Sequence, residues 1–269
     1  MTIKIKEIGN MQRDLIGTQW QLKKLTLSFG LAIIIGLSYI WTPTSDLWGE
    51  ISEKFFFAVN ASLLWGEPWQ VFWAAVNTPV FDKLNGLIMA IPCIWYVATD
   101  RSRPLSLRLS HMVVMGIAIV VGVYFAKHAF RSYESLSPSL VLTPFNDLTL
   151  LVPWLEAKVS ADDSFPGNHA VVAGIYGFFF YFAIGRKYFW LALPIALLGG
   201  TARAVAGAHW LSDLLVGGAI HILPILALAF ATPAIRQMQS ILDTLADVLV
   251  LNLPEFMTSP FVKVARKIS

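Results

Sequence analysis

One cysteine, Cys93, is all that this 269-residue chain contains, and it lies inside an apolar run. An intramolecular disulfide is therefore impossible, and a cysteine-based zinc or iron–sulfur site has no ligand set. Charge is scarce too, at 14% of residues, whereas 56% are hydrophobic and the mean hydropathy is +0.63. That balance excludes an ordinary soluble domain and places the chain in a lipid bilayer. Gly/Ser-rich or Pro-rich linkers, internal repeats and low-complexity tracts are all lacking, so one domain over 1–269 is expected, with a core at 80–232. The net charge of +3 is spread over loops and tails without forming a dense patch, which argues against nucleic acid as a partner. No compact set of Asp, Glu, His or Cys has metal-ligand spacing, and no cofactor is expected.

A spanning helix needs about 17–25 mostly apolar residues. Windows of that kind lie near 25–43, 82–99, 109–127, 169–185, 188–206 and 211–232. The predicted fold is all-α and polytopic, with six transmembrane helices and both termini on one side. The apolar stretch 55–76 is interrupted at Glu67-Pro68 and rich in Trp and Phe, which predicts one or two interfacial helices. Residues 234–251 carry apolar side chains at Ile235, Met238, Leu242, Leu245 and Leu249 in a helical period, predicting an amphipathic helix on the inner surface.

Lys and Arg residues set the orientation, because short loops rich in them stay in the cytoplasm. Lys4, Lys6, Arg13, Lys23 and Lys24, then Arg101, Arg103 and Arg108, then Arg186 and Lys187, then Arg236, Lys263, Arg266 and Lys267 all fall on one face. The opposite loops are mainly acidic and are expected in the periplasm. The N-terminal segment is too long and too polar for a cleaved signal peptide, so its retention is expected.

Ionisable groups at membrane spans are costly and point to function. In this topology Lys127 ends the third span, His169 begins the fourth, Arg203 ends the fifth, and His209 and Asp213 begin the sixth. One outer layer thus collects them all. Taken alone, a histidine near a helix end is more often structural, and Lys127 or Arg203 would pass as snorkelling anchors. Their convergence from four spans favours a site. His111 and His221 fall outside the layer and are expected to be structural, while His128 could line it.

In TARAVAGAHWLSD, three residues separate His209 from Asp213, close to one helical turn, so the carboxylate can approach the ring from a shared helix face. Such a partner fixes the tautomer and leaves the other nitrogen free to attack an electrophile. Gly207 lets the backbone reverse, and the fork of Arg203 suits phosphate oxygens. In SFPGNHA, Pro166, Gly167 and Asn168 predict a turn whose backbone N–H groups face an anion at a helix start. His169 beside it can protonate a leaving oxygen.

These residues resemble the signature of the type 2 phosphatidic acid phosphatase superfamily. Its third block, Ser-Arg, five residues, His, three residues, Asp, matches at Arg203, His209 and Asp213, with Ala202 where Ser is usual. Its second block, Pro-Ser-Gly-His, matches at Pro166 and His169, with Gly167-Asn168 in the middle. Its first block matches at Lys127 alone, since Glu134 stands where arginine is usual; Arg131 is the candidate substitute. Ser137-Pro138-Ser139-Leu140, SFPGNH and GAHWLSDLLVG are similar to the bacterial lipid A 1-diphosphate synthase branch. The resemblance implies His209 as nucleophile forming a phosphohistidine, Asp213 orienting it, and His169 as acid and then base. It implies Lys127 and Arg203 on phosphate oxygens, with no metal.

The expected activity is transfer or hydrolysis of lipid phosphate at the periplasmic face of a bacterial inner membrane. The expected donor is undecaprenyl diphosphate; lipid A or water would be the acceptor. Two readings of other classes compete. A proton-coupled transporter would place its charges near the bilayer midplane. A silent lipid-binding relative would follow from the altered first and second blocks.

Overall fold

A computed structural model describes residues 17, 19–130 and 133–252, with side chains described up to 245. Among these residues the architecture is helical, and the one β-contact is an isolated bridge between Ser135 and Asp163. Among the described residues five helices are long and apolar enough to cross a membrane: α1 (Leu22–Ile40), α4 (Pro79–Thr99), α5 (Leu105–Ala129), α9 (Arg186–Ala206) and α10 (Leu211–Phe230). Each coincides with a predicted span. The fourth window instead forms a shorter apolar helix, Asn168–Ile184, in which α8 (Asn168–Phe179) passes into a π-helical turn, Phe180–Ile184.

Between α1 and α4 lie α2 (Thr42–Ala61), a 3₁₀ turn (Ser62–Trp65) and α3 (Glu67–Val76). Helices are thus present in the aromatic stretch as expected, although the first begins well before residue 55. Two short helices, α6 (Pro138–Val141) and α7 (Leu148–Leu151), punctuate the long loop between α5 and α8. The last helix among the described residues is α11 (Ala234–Asn252).

Helix boundaries follow local chemistry. Thr78 caps α4 by accepting from the Phe81 N–H at 3.2 Å, with Pro79 in the first turn, where a missing N–H costs nothing. Gly185, at φ 123°, separates the π turn from α9, and its N–H donates to the Phe180 carbonyl at 2.8 Å. That left-handed φ is open to glycine with little penalty.

α8 is the centre of the bundle and packs against α5, α9 and α10. Tyr176, Phe179, Phe180 and Ile175 are fully or almost fully buried there. α1, by contrast, buries only Ala32 and exposes Leu27, Ile33, Ile34 and Leu37. An uncovered apolar face of that extent belongs against hydrocarbon. The chain is a multi-pass membrane protein.

At the end of the bundle where α4 meets α5, Arg103 donates to Tyr96 Oη at 3.2 Å and to the Ile184 carbonyl at 2.8 Å, closing the π turn. His111 Nδ1 lies 2.7 Å from Tyr96 Oη, and His221 Nδ1 lies 2.8 Å from the Gly217 carbonyl, so both histidines sit in buried packing. The amphipathic C-terminal helix forms, but its first turns do not lie free on a surface. Ile235 is fully buried and α11 docks on α5, because its Ile235 and Met238 stripe meets apolar side chains of the bundle core that cover it. Leu245 is exposed, and the Leu249 side chain lies outside the described residues.

Candidate active site

The turn between α9 and α10 builds the first half of the site. Gly207 ends α9 at φ 94°, its N–H donating to the Arg203 carbonyl at 3.1 Å, and the Ala208 N–H donates to the same carbonyl at 2.9 Å. This left-handed cap reverses the chain within four residues. A Cβ at Gly207 would also stand 3.0 Å from Ser139 Cβ and 3.1 Å from a Phe56 ring carbon, so the turn is packed from outside. The Ser139 N–H donates to the Gly207 carbonyl at 3.1 Å, and Trp210 Nε1 donates to the Leu136 carbonyl at 2.8 Å. The Ser-Pro-Ser stretch therefore braces the turn.

Trp210 then caps α10. Its backbone N–H donates to Asp213 Oδ2 at 2.8 Å, and His209 Nδ1 lies 3.5 Å from that same oxygen. The expected His209–Asp213 approach is present, but its cause is different. His209 precedes the helix, so the two residues share no helix face; the capping geometry brings the carboxylate back to the ring. Asp213 is fully buried, and neither its Oδ1 nor His209 Nδ1 has a hydrogen-bond partner. At 3.5 Å the two groups are close but not hydrogen-bonded, as ligand-free catalytic pairs often are.

The second half is a carboxylate bridge. Asp82, in the first turn of α4, accepts from Arg203 Nη2 at 2.6 Å and lies 3.3 Å from His169 Nε2. Arg203 Nη1 donates to the Asn77 carbonyl at 2.9 Å and to the Lys158 carbonyl at 3.4 Å. Three of the guanidinium's five N–H groups are thus engaged. The Arg203 side chain is only 3% exposed, against 35% for His169 and 38% for Asp82, so the assembly opens on the histidine side. Sequence reasoning missed Asp82. The available signal was an acidic residue at the outer end of a span, in the same layer as the five residues chosen.

The SFPGNH loop ties the halves together. The Gly167 N–H donates to the Asp213 carbonyl at 3.1 Å, and a Cβ there would meet Leu214 Cδ2 at 3.1 Å. Gly167 was expected to offer its N–H to phosphate; that donor is spent on α10, and the residue serves close packing instead. Asn168 and His169 open α8. Asn168 Oδ1 is buried without a partner, and Asn168 lines a cavity of about 360 Å3 with Lys127, His128, Asp163 and Pro166. Lys127 thus lines the same cavity as Asn168, and among the described residues no hydrogen bond or ion pair joins it to Arg203 or His209. His128 does line this cavity, while its ring stacks on Tyr124 at 4.2 Å. Arg131 lies outside the described residues.

Below the polar layer runs an apolar cavity of about 520 Å3. Ala170, Gly174 and Gly177 of α8 line it, with Phe55 and Leu211 at the end nearer His209 and Phe182 and Phe189 at the end nearer Gly185. Small residues at helical spacing on α8 leave this space. Among the described residues no group of three or more His, Cys, Asp or Glu side chains is placed to hold a metal ion.

Residues 108–236 match the PAP2 superfamily. Members of this superfamily are phosphatases and phosphotransferases. The resemblance read from the motif blocks is thereby borne out, and Lys127, His169, Arg203, His209 and Asp213 all lie inside the PAP2 match, whereas Asp82 lies before it. The lipid A 1-diphosphate synthase of Escherichia coli (strain K12) is 25% identical over 209 residues, covering 76% of this chain and 84% of that protein. A solved transmembrane PAP2 type phosphatidylglycerolphosphate phosphatase from Bacillus subtilis is 16% identical, covering 76% of this chain and 94% of that one, with a TM-score of 0.44.

Proposed function

We propose that the chain is a lipid phosphate phosphotransferase of the bacterial inner membrane, working at the periplasmic face through a phosphohistidine. It moves the terminal phosphate of undecaprenyl diphosphate onto lipid A. The carrying observation is that each of two histidines at the outer helix ends has a carboxylate within 3.5 Å, with a buried arginine beside one of them. The E. coli lipid A 1-diphosphate synthase, similar over most of both chains, supports lipid A as the acceptor. The basic inner loops support the orientation.

The reaction has two halves. His209 turns Nδ1 to Asp213, so Nε2 is the attacking nitrogen. It forms a P–N bond to the terminal phosphorus while the P–O bond to the departing lipid monophosphate breaks. His169, as imidazolium, hands its proton to that leaving oxygen. Asp213 stabilises the positive charge that grows on the His209 ring. Arg203, Lys127 and Arg131 balance the phosphoryl oxygens, helped by the N–H groups of Asn168 and His169 at the start of α8. An acceptor phosphate oxygen then attacks the phosphohistidine, the P–N bond breaks, and any acceptor proton goes to His169. The lipid's hydrocarbon chain lies in the apolar cavity beside α8, which keeps the phosphate at the polar layer and limits water there.

The test is to incubate purified protein with undecaprenyl diphosphate labelled in its terminal phosphate, with and without lipid A. Label on lipid A supports the proposal. Release as inorganic phosphate under both conditions would replace it with a phosphatase, and label remaining on the donor would remove the enzymatic reading.

A further inference from the structure

The geometry points to Asp82 as a positioning residue that holds His169 and Arg203 in their working arrangement. This rests on the reading of His169 as the acid and Arg203 as a phosphate contact. Neither the motif blocks nor the PAP2 match contains Asp82, which comes from α4, a helix outside that match.

A single carboxylate serves two groups here. Oδ2 lies 2.6 Å from Arg203 Nη2, and Oδ1 lies 3.3 Å from His169 Nε2. Arg203 is almost fully buried, and a buried charge without a counter-charge is costly, so Asp82 supplies its compensation. With Nη1 pinned to two backbone carbonyls and Nη2 to Asp82, the guanidinium plane is fixed and its Nε edge remains for a phosphate oxygen. For His169, a carboxylate at Nε2 makes that nitrogen the N–H donor and leaves Nδ1 to give and take the catalytic proton.

Other charges do not duplicate this contact. From α9 the group facing His169 is Arg203, and from α4 it is Asp82. Lys127 of α5 and Asp163 of the long loop line the cavity across Asn168, and Asp213 of α10 is held behind Gly167. The pairing also mirrors His209 with Asp213. Each histidine has its own carboxylate: one steadies the attacking ring, the other the proton-carrying ring.

The experiment compares D82N and D82E with wild type on farnesyl monophosphate, whose leaving oxygen needs a proton, and on farnesyl diphosphate, whose leaving phosphate needs it less. D82N is expected to lower kcat on the monophosphate by roughly tenfold to a hundredfold, part of the about 10²–10⁴-fold that general acid catalysis contributes. KM is expected to move little, and the diphosphate is expected to suffer less.

A D82N enzyme with wild-type kcat on both the monophosphate and the diphosphate would overturn the assignment. So would undiminished kcat with tighter inhibition by inorganic phosphate, which would make the carboxylate a stand-in for substrate. If D82N does not fold, D82E carries the test. It keeps Arg203 compensated but displaces the carboxylate by one methylene, so wild-type kinetics in D82E would count against positioning. His169→Ala separates the two levels. Full activity in that variant removes the reading of His169 itself, whereas a damaged His169→Ala beside a normal D82N removes only the role of Asp82.

Discussion

Two adjacent glycines on α10 should respond in opposite ways to the same added methyl group. A Cβ at Gly217 would stand 2.7 Å from Pro166 Cβ, 2.9 Å from Pro166 Cα and 3.3 Å from Phe165 Cε2. Pro166 Cα is backbone and cannot rotate away, so the loop carrying His169 must move off the helix carrying Asp213. At Gly218 the nearest atoms are Ile222 Cδ1 at 3.5 Å and Ala170 Cβ at 3.8 Å, which is ordinary contact. Each Gly→Ala change gains about 1 kcal/mol of helix propensity. At Gly217 overpacking costs about 1–3 kcal/mol and outweighs that gain. Gly218→Ala should therefore unfold at or above the wild-type temperature with unchanged turnover. Gly217→Ala should be less stable by about 2 kcal/mol or less, yet lose on the order of a hundredfold in turnover, since a shift of about 1 Å in a reacting group has that cost. Thermal unfolding in detergent, paired with phosphate transfer in the same preparation, measures both. Equal turnover in the two variants would refute the claim that loop seating on α10 sets the site geometry.

Removal of the histidines should give different failures in acid-labile labelling with a phosphorus-labelled diphosphate donor. His209→Ala should show no phosphoenzyme, while His169→Ala should still label, and the reverse pattern would exchange nucleophile and acid. Asp213→Asn should keep the Trp210 cap through its amide oxygen but lose much of the rate, because an amide cannot balance charge on the ring. Single cysteines at Asp147 and Ser160 should react with an impermeant reagent in intact spheroplasts while one at Arg186 stays protected; the opposite result would invert the orientation. Activity should survive a strong chelator, and loss restored by added metal would contradict charge balance by Lys127 and Arg203.

The spans were legible because a bilayer demands long apolar runs, and composition records that demand directly. The His209–Asp213 contact was legible from spacing, although the spacing suggested a shared helix face and the structure achieves the contact through a cap. Asp82 was not legible. An acidic residue in a first helical turn is ordinary, since the dipole favours it, and its partners lie 87 and 121 residues further along the chain. Gly167 was misread for a related reason: whether a backbone N–H is free depends on the carbonyl of Asp213, which no local pattern announces. The docking of α11 on α5 likewise required knowing which apolar stripe had protein to cover it.

Gly185 joins two arms of matched length. Counting outward from it, His169 is about sixteen residues back along the π turn and α8, and Arg203 is about eighteen residues forward along α9. At about 1.5 Å per residue both arms climb roughly 25 Å, so the hairpin delivers the two side chains to one height. The fold thus works as a ruler whose zero mark lies at the face opposite the chemistry. One residue inserted beside Gly185 in either arm would slide that arm by about 1.5 Å and turn it by about 100°. The reach of Asp82 across both tips would be lost, although Asp82, His169 and Arg203 would themselves be unchanged.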